Sequence, residues 1–86
     1  MEITYTPEAE KDLLFWKKSG NKAIQKKITN LLDVISVTPT TGIAKPEQLK
    51  HELSGYWSRR INDEHRIVYK ILDDKIEVLS LRFHYL

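Results

Sequence analysis

The chain has 86 residues, 14 Lys+Arg, 12 Asp+Glu, three His and no Cys. That is one small domain spanning 1–86, and at this size about 60% of the unfolded surface is buried on folding, so a single compact core is expected. Without cysteine there is no disulfide framework, no thiolate nucleophile and no Cys-ligated zinc. The segment Met1–Tyr5 has no basic n-region and no apolar h-region, so no signal peptide is expected. No apolar run approaches the roughly 20 residues of a membrane span. Net charge is +2, too weak to diagnose nucleic-acid binding by itself. The excess sits in residues 42–70, which hold six basic and four acidic groups.

Glu2 to Thr6 alternates and is rich in β-branched residues, which predicts a short strand. Thr6-Pro7-Glu8 then reads as a helix start. Thr6 is the N-cap, Pro7 takes the first helical position, and Glu8 and Glu10 lie near the positive end of the dipole. This helix runs to about Ser19, buries Leu13, Leu14 and Trp16, and stops at Gly20. Asn21 caps a second helix. Its Ile24, Ile28, Leu31, Leu32 and Ile35 fall on one face, while Lys22, Lys26, Lys27 and Asp33 lie off that stripe. From Val37 to Pro46 the threonines, Pro39, Gly42 and Pro46 predict a loop, of a length that in compact domains is often functional.

From Tyr56 the period changes to two. Tyr56–Ile61, His65–Ile71 and Ile76–Tyr85 read as three strands, separated by Asn62-Asp63-Glu64 and Asp73-Asp74-Lys75. Short connections pair sequential strands antiparallel. The predicted class is α+β, with two N-terminal helices packed on one face of a small antiparallel β-sheet. Two three-residue loops place Arg60 opposite Arg66, Tyr69 opposite Leu79 and Arg66 opposite Arg82. One face then collects Trp57, Ile61, Ile67, Tyr69, Ile71, Leu79, Leu81 and Phe83 as the core side, with Arg59, His65 and Glu77 as intruders near strand ends or edges. The other face holds Tyr56, Ser58, Arg60, Arg66, Val68, Lys70, Val78, Ser80, Arg82 and His84. Like charges directly opposite one another destabilise a sheet. Arg60, Arg66 and Arg82 therefore need acids nearby, as on an ordinary solvent face balanced by loop glutamates, or an anionic ligand. Arginine's planar fork suits phosphate, and His84 adds a group that changes protonation near neutral pH. His51, His65 and His84 have no short metal-ligand spacing, and Gly20, Gly42 and Gly55 stand alone, so no metal site and no phosphate loop is expected.

The run Lys45-Pro46-Glu47-Gln48-Leu49-Lys50-His51-Glu52-Leu53-Ser54-Gly55-Tyr56-Trp57-Ser58-Arg59-Arg60-Ile61 resembles the YoeB (Txe/YoeB) toxins of the RelE superfamily. So do Glu64-His65-Arg66-Ile67-Val68-Tyr69 and the ending Arg82-Phe83-His84-Tyr85. The likeness is dense from Lys45 to Tyr85; across the helices it is mainly one of pattern and length. One departure is Leu86, which follows the tyrosine that ends the family's pattern. The resemblance implies a RelE-like fold and a cytoplasmic, metal-independent endoribonuclease, without cofactor, that cuts messenger RNA in the ribosomal A site. It implies a cognate antitoxin, the 70S ribosome and messenger RNA as partners, with a homodimer known in the subfamily. The family's catalytic glutamate, arginine and histidine fall on Glu47, Arg66 and His84. Lys50, Arg59, Arg60, Arg82 and Tyr85 are the candidates for RNA contact, with Tyr56 as a further stacking residue; Arg59 is the weakest, because its register points it at the helices. Two other readings share these residues: a module that binds RNA or ribosomes without cleaving, and an antitoxin-bound transcriptional co-repressor.

Overall fold

In the computed structural model, which describes residues 1–83, the elements run in the order β1 (Glu2–Tyr5), α1 (Pro7–Ser19), α2 (Lys22–Val37), β2 (Glu47–Gln48), a 3-10 turn (His51–Leu53), β3 (Tyr56–Arg60), β4 (Arg66–Ile71) and β5 (Lys75–Ser80). The helix limits are set by local chemistry. Thr6 Oγ1 accepts from the Ala9 amide at 3.1 Å, and Asn21 Oδ1 accepts from the Ile24 amide at 3.1 Å, so both N-caps are the residues predicted. Gly20 ends α1 at φ 74°, in the left-handed region that glycine enters without a Cβ penalty.

The sheet order is β1-β5-β4-β3-β2. Neighbouring strands from β2 to β5 pair antiparallel, as expected, and β1 joins the outer side of β5 in parallel, making the sheet mixed. A parallel pair needs a long crossover, and here both helices lie within it. The two-residue β2 is not among the predicted strands; its pairing with β3 extends the sheet by one edge. The core lies between helices and sheet. It joins Ala9, Trp16, Ile28, Leu31 and Ile35 to Ile61, Ile67, Tyr69, Ile76, Val78 and Leu81.

The β3–β4 register is the one the alternation predicts, with Tyr56 opposite Lys70 and Arg60 opposite Arg66. The β4–β5 register holds only at its far end. Val68 faces Ser80 as expected, but Tyr69 faces Val78, so Leu79 is an extra residue in a β-bulge. The bulge switches the inward-facing positions from Ile76 and Val78 before it to Leu81 after it, all three fully buried. Val78 therefore belongs to the core and not to the outer face, while Glu77 lies opposite Lys70 and Leu79 is only partly buried. Thr6 anchors the irregularity: its amide donates to Val78 O at 3.0 Å and its hydroxyl to Leu79 O at 2.9 Å. β5 ends at Ser80, and Phe83, expected in the core, is 57% exposed. The rest of the strand predicted to Tyr85 lies outside the described residues.

Candidate functional site

Glu47 lies on β2 directly across from Ser58, and Ser58 stands two residues before Arg60 on β3. Arg60 is in turn directly across from Arg66 on β4. Because alternate residues share a face, Glu47, Ser58, Arg60 and Arg66 all belong to the face without helices. Strand spacing and rise put the Glu47 and Arg66 Cα atoms roughly 12 Å apart, a gap two long side chains can narrow around one phosphate. Glu47 is exposed and Arg66 half-buried. From Glu47 onward the segment Glu47–Leu53, with Lys50, His51 and Glu52 in it, lines a cleft of about 490 Å³.

The backbone is strained on both sides of this cleft. The non-glycine residues with positive φ among those described are Ala44 (66°), Lys45 (51°), His51 (60°) and Phe83 (63°). Three of them bracket Glu47 and Lys50, and the fourth immediately precedes His84 in the chain. Such conformations cost about 1–3 kcal/mol each and persist where the surroundings over-determine them. Part of that constraint is the Arg60 amide, which donates to Ala44 O at 2.9 Å.

Arg60 has weak compensation. Its ion pair with Asp63 is long, 3.9 Å, and lies at the surface, where such pairs contribute little. Among the described residues its Nε is buried without a hydrogen-bond partner, and so is Ser58 Oγ, in the row between Glu47 and Val68. These two donors are groups that an incoming phosphate can engage.

Two expected RNA contacts sit elsewhere. Arg59 is fully buried, on the helix side that its register indicated. It stands one residue before the end of β3, as expected, and from there holds the preceding loop. Its Nε donates to Tyr69 Oη at 3.2 Å, its Nη1 to Ile43 O at 3.2 Å, and its Nη2 to Thr41 O at 2.8 Å and to Thr38 O. With four of five N–H groups engaged inside the protein, Arg59 leaves the set of phosphate contacts. Thr38 caps the C-terminus of α2, so the guanidinium also meets the negative end of that helix dipole. Arg82 leaves the expected three-arginine stack. Its guanidinium carbon lies 3.5 Å from the Phe15 ring centroid and 4.5 Å from that of Phe83, a cation–π sandwich against α1.

The phenol of Tyr69 donates to Pro39 O at 2.6 Å. Burial pushes its pKa up, against a smaller lowering by Arg59. The ten-residue loop is thus held from below by two core side chains.

Sequence reasoning missed three residues that grip the C-terminal segment. Asp12 is buried, and its Oδ2 accepts from the Leu81 amide at 2.8 Å. Trp16, read only as an apolar residue, donates from Nε1 to Leu81 O at 2.9 Å. His65 Nδ1 accepts from the Phe83 amide at 2.8 Å. Asp12 shares a helix face with Ala9, Leu13 and Trp16, at the i, i+3, i+4, i+7 spacing that could have marked it as inward. The assignments to His84 and Tyr85 fall outside the described residues.

Residues 5–85 match the family model of the YoeB-like toxin of bacterial type II toxin-antitoxin systems. The chain is 48% identical to Toxin YoeB of Mycobacterium bovis over 83 residues, 96% of each chain. Two solved structures from Staphylococcus aureus are similar throughout: a YoeB-YefM complex (44% identity, TM-score 0.88) and a YoeB dimer (43%, TM-score 0.88), each covering 99% of this chain and 98% of the other.

Proposed function

Since the chain belongs to the YoeB-like toxins of bacterial type II toxin–antitoxin systems, we propose that it is an endoribonuclease that cuts messenger RNA in the ribosomal A site and so stops translation. The observation that carries this reading is the shared face: Glu47, Arg60 and Arg66 on one side of the sheet, with Glu47 also lining the Glu47–Leu53 cleft. The RNA's own 2′-OH is the nucleophile. Glu47 accepts its proton as the oxygen attacks the adjacent phosphorus. The P–O5′ bond breaks, His84 protonates the departing oxygen, and the products are a 2′,3′-cyclic phosphate and a 5′-OH end. Arg66, backed by Arg60, balances the charge that gathers on the non-bridging oxygens. Acid–base assistance is worth about 100- to 10,000-fold per group, and preorganised charge as much again. Every charge the step needs comes from side chains, so the reaction as written uses no metal.

Lys50, in the same cleft, binds the flanking backbone, and Tyr85 supplies a face for base stacking. The ribosome positions the substrate, because a net charge of +2 binds free RNA weakly and in a salt-sensitive way. A substrate on translating ribosomes places the protein in the cytoplasm, and no described helix is long and apolar enough to cross a membrane. An antitoxin is the expected protein partner, as YefM is for the S. aureus protein, and a homodimer is the expected self-assembly.

The test is primer extension on a translating messenger RNA with wild type, Glu47→Ala, Arg66→Ala and His84→Ala. The expected result is new ends at A-site codons with wild type, reduced at least about 100-fold by each substitution. Ribosome binding without new ends would overturn the nuclease and leave a non-cleaving module.

A further inference from the structure

His65 is a buried histidine that the proposed chemistry does not use. It lies 8% exposed at the start of the strand that carries Arg66. Its backbone is held from three sides. The His65 amide donates to Asn62 Oδ1 at 2.8 Å, and His65 O accepts from the amides of Ile61 and Asn62 at 2.9 and 3.2 Å. Its ring stands edge-on to Trp16, with centroids 4.9 Å apart at 83°. Both backbone and ring are therefore fixed before the ring meets its main partner. That partner is the Phe83 amide, which donates to Nδ1 at 2.8 Å. An accepting Nδ1 carries no proton, so the ring is neutral and its hydrogen sits on Nε2.

Phe83 is the point at which this matters. Its φ of 63° is a conformation L-phenylalanine adopts only when held there. Its amide is held by His65 and its carbonyl by the Arg66 amide at 3.2 Å, so one strand start grips both sides of the residue. The next residue in sequence is His84. Two residues earlier, Leu81 is gripped in the same way by Asp12 and Trp16. The geometry points to His65 as a positioning residue: through the Nδ1 bond it sets the left-handed backbone of Phe83, the residue that precedes His84 in sequence, and couples it to Arg66. This inference rests on the reading of His84 as the general acid.

Three substitutions separate the acceptor from mere packing. His65→Asn keeps an acceptor near the place of Nδ1, His65→Gln moves the amide toward the place of Nε2, and His65→Leu keeps bulk alone. Single-turnover cleavage on A-site-programmed ribosomes is read together with the toxin concentration for half-saturation. The expected result is a rate loss on the order of 100-fold for Gln and Leu, the effect of a misplaced catalytic group. Asn should remain within about threefold of wild type, and half-saturation should stay unchanged in all three. To separate a folding defect in Leu from the loss of the bond, amide hydrogen exchange of Phe83 is measured in each variant by ¹⁵N NMR. Protection is expected in wild type and Asn and lost in Gln and Leu. Equal rates in all variants, or equal losses including Asn, would overturn the inference. A fast-exchanging Phe83 amide in the wild type would do the same. Wild-type cleavage unaffected by His84→Ala would instead refute the acid assignment, and Phe83 protection would still report on the His65 bond.

Discussion

Replacing Arg59 by leucine takes a cation out of the interior and releases four acceptors at once: the carbonyls of Thr38, Thr41 and Ile43 and the hydroxyl of Tyr69. Hydrogen bonds to a charged donor contribute about 1.5–3 kcal/mol each. The four do not simply add, because Thr38, Thr41 and Ile43 are exposed residues whose freed carbonyls can turn to water. The Arg59 desolvation cost disappears as well. What remains is the buried phenol, the emptied space and the loosened loop, together about 3 kcal/mol. A domain of this length has about 4–13 kcal/mol of stability in all. At about 4–8 °C per kcal/mol, the loss lowers Tm by about 12–24 °C. Thermal melting followed by circular dichroism checks this. Arg59→Lys should fall in the same direction, because one ammonium cannot reproduce a fork that reaches four acceptors. A leucine variant melting within about 5 °C of wild type, yet inactive in cleavage, would refute the structural role and return Arg59 to the RNA-facing set.

Other outcomes follow from the same contacts. Thr6→Ala removes both the cap on Ala9 and the hydroxyl bond to Leu79 at the bulge, and should cost about 1–2 kcal/mol in denaturant unfolding. Burial raises the pKa values of Tyr69 and Tyr5 above the ordinary phenol value. The folded state therefore holds these protons more tightly than the unfolded state. Their contribution to stability is complete below the ordinary value, near pH 10, and is lost as pH rises through the raised folded-state value. Ultraviolet titration should show these two phenols ionising late, and an ordinary titration of all tyrosines would contradict their burial. In the proposed reaction, Lys50→Ala should raise half-saturation with little change in single-turnover rate, whereas Glu47→Ala should lower the rate by about 100- to 10,000-fold at unchanged half-saturation. A rate loss in Lys50→Ala comparable to that of Glu47→Ala would make Lys50 part of the chemistry.

Much of this molecule is written in local signals. Thr6 and Asn21 cap helices because a short side-chain oxygen reaches an amide three residues on, and that needs nothing distant. The β3–β4 register follows from the three-residue spacer at 62–64 and from alternation, since a slip of one residue would exchange buried Ile67 and Tyr69 with Arg66 and Lys70. The placement of Arg60 opposite Arg66, and with it half of the candidate site, was legible for that reason. The bulge at Leu79 was not. A period-two pattern carries no mark for one inserted residue, and what holds this one is Thr6, 73 positions away.

The same contrast separates Arg59 from Arg60. Adjacent arginines are equivalent as composition, and alternation assigned Arg59 to the helix side and Arg60 to the other, without showing what partners a buried guanidinium would find. That Arg59 can be buried with its charge depended on three carbonyls 16 to 21 residues away gathering around it. Asp12 and His65 are similar cases, held by the amides of Leu81 and Phe83, 69 and 18 positions away. The sequence by itself determined the helices, their caps, the first hairpin's register and the residues that carry the family likeness, because those depend on near neighbours and on a repeating period. Only the tertiary structure decided which partners the inward charged and polar side chains find, because burying such a group depends on distant acceptors and donors that no local pattern specifies.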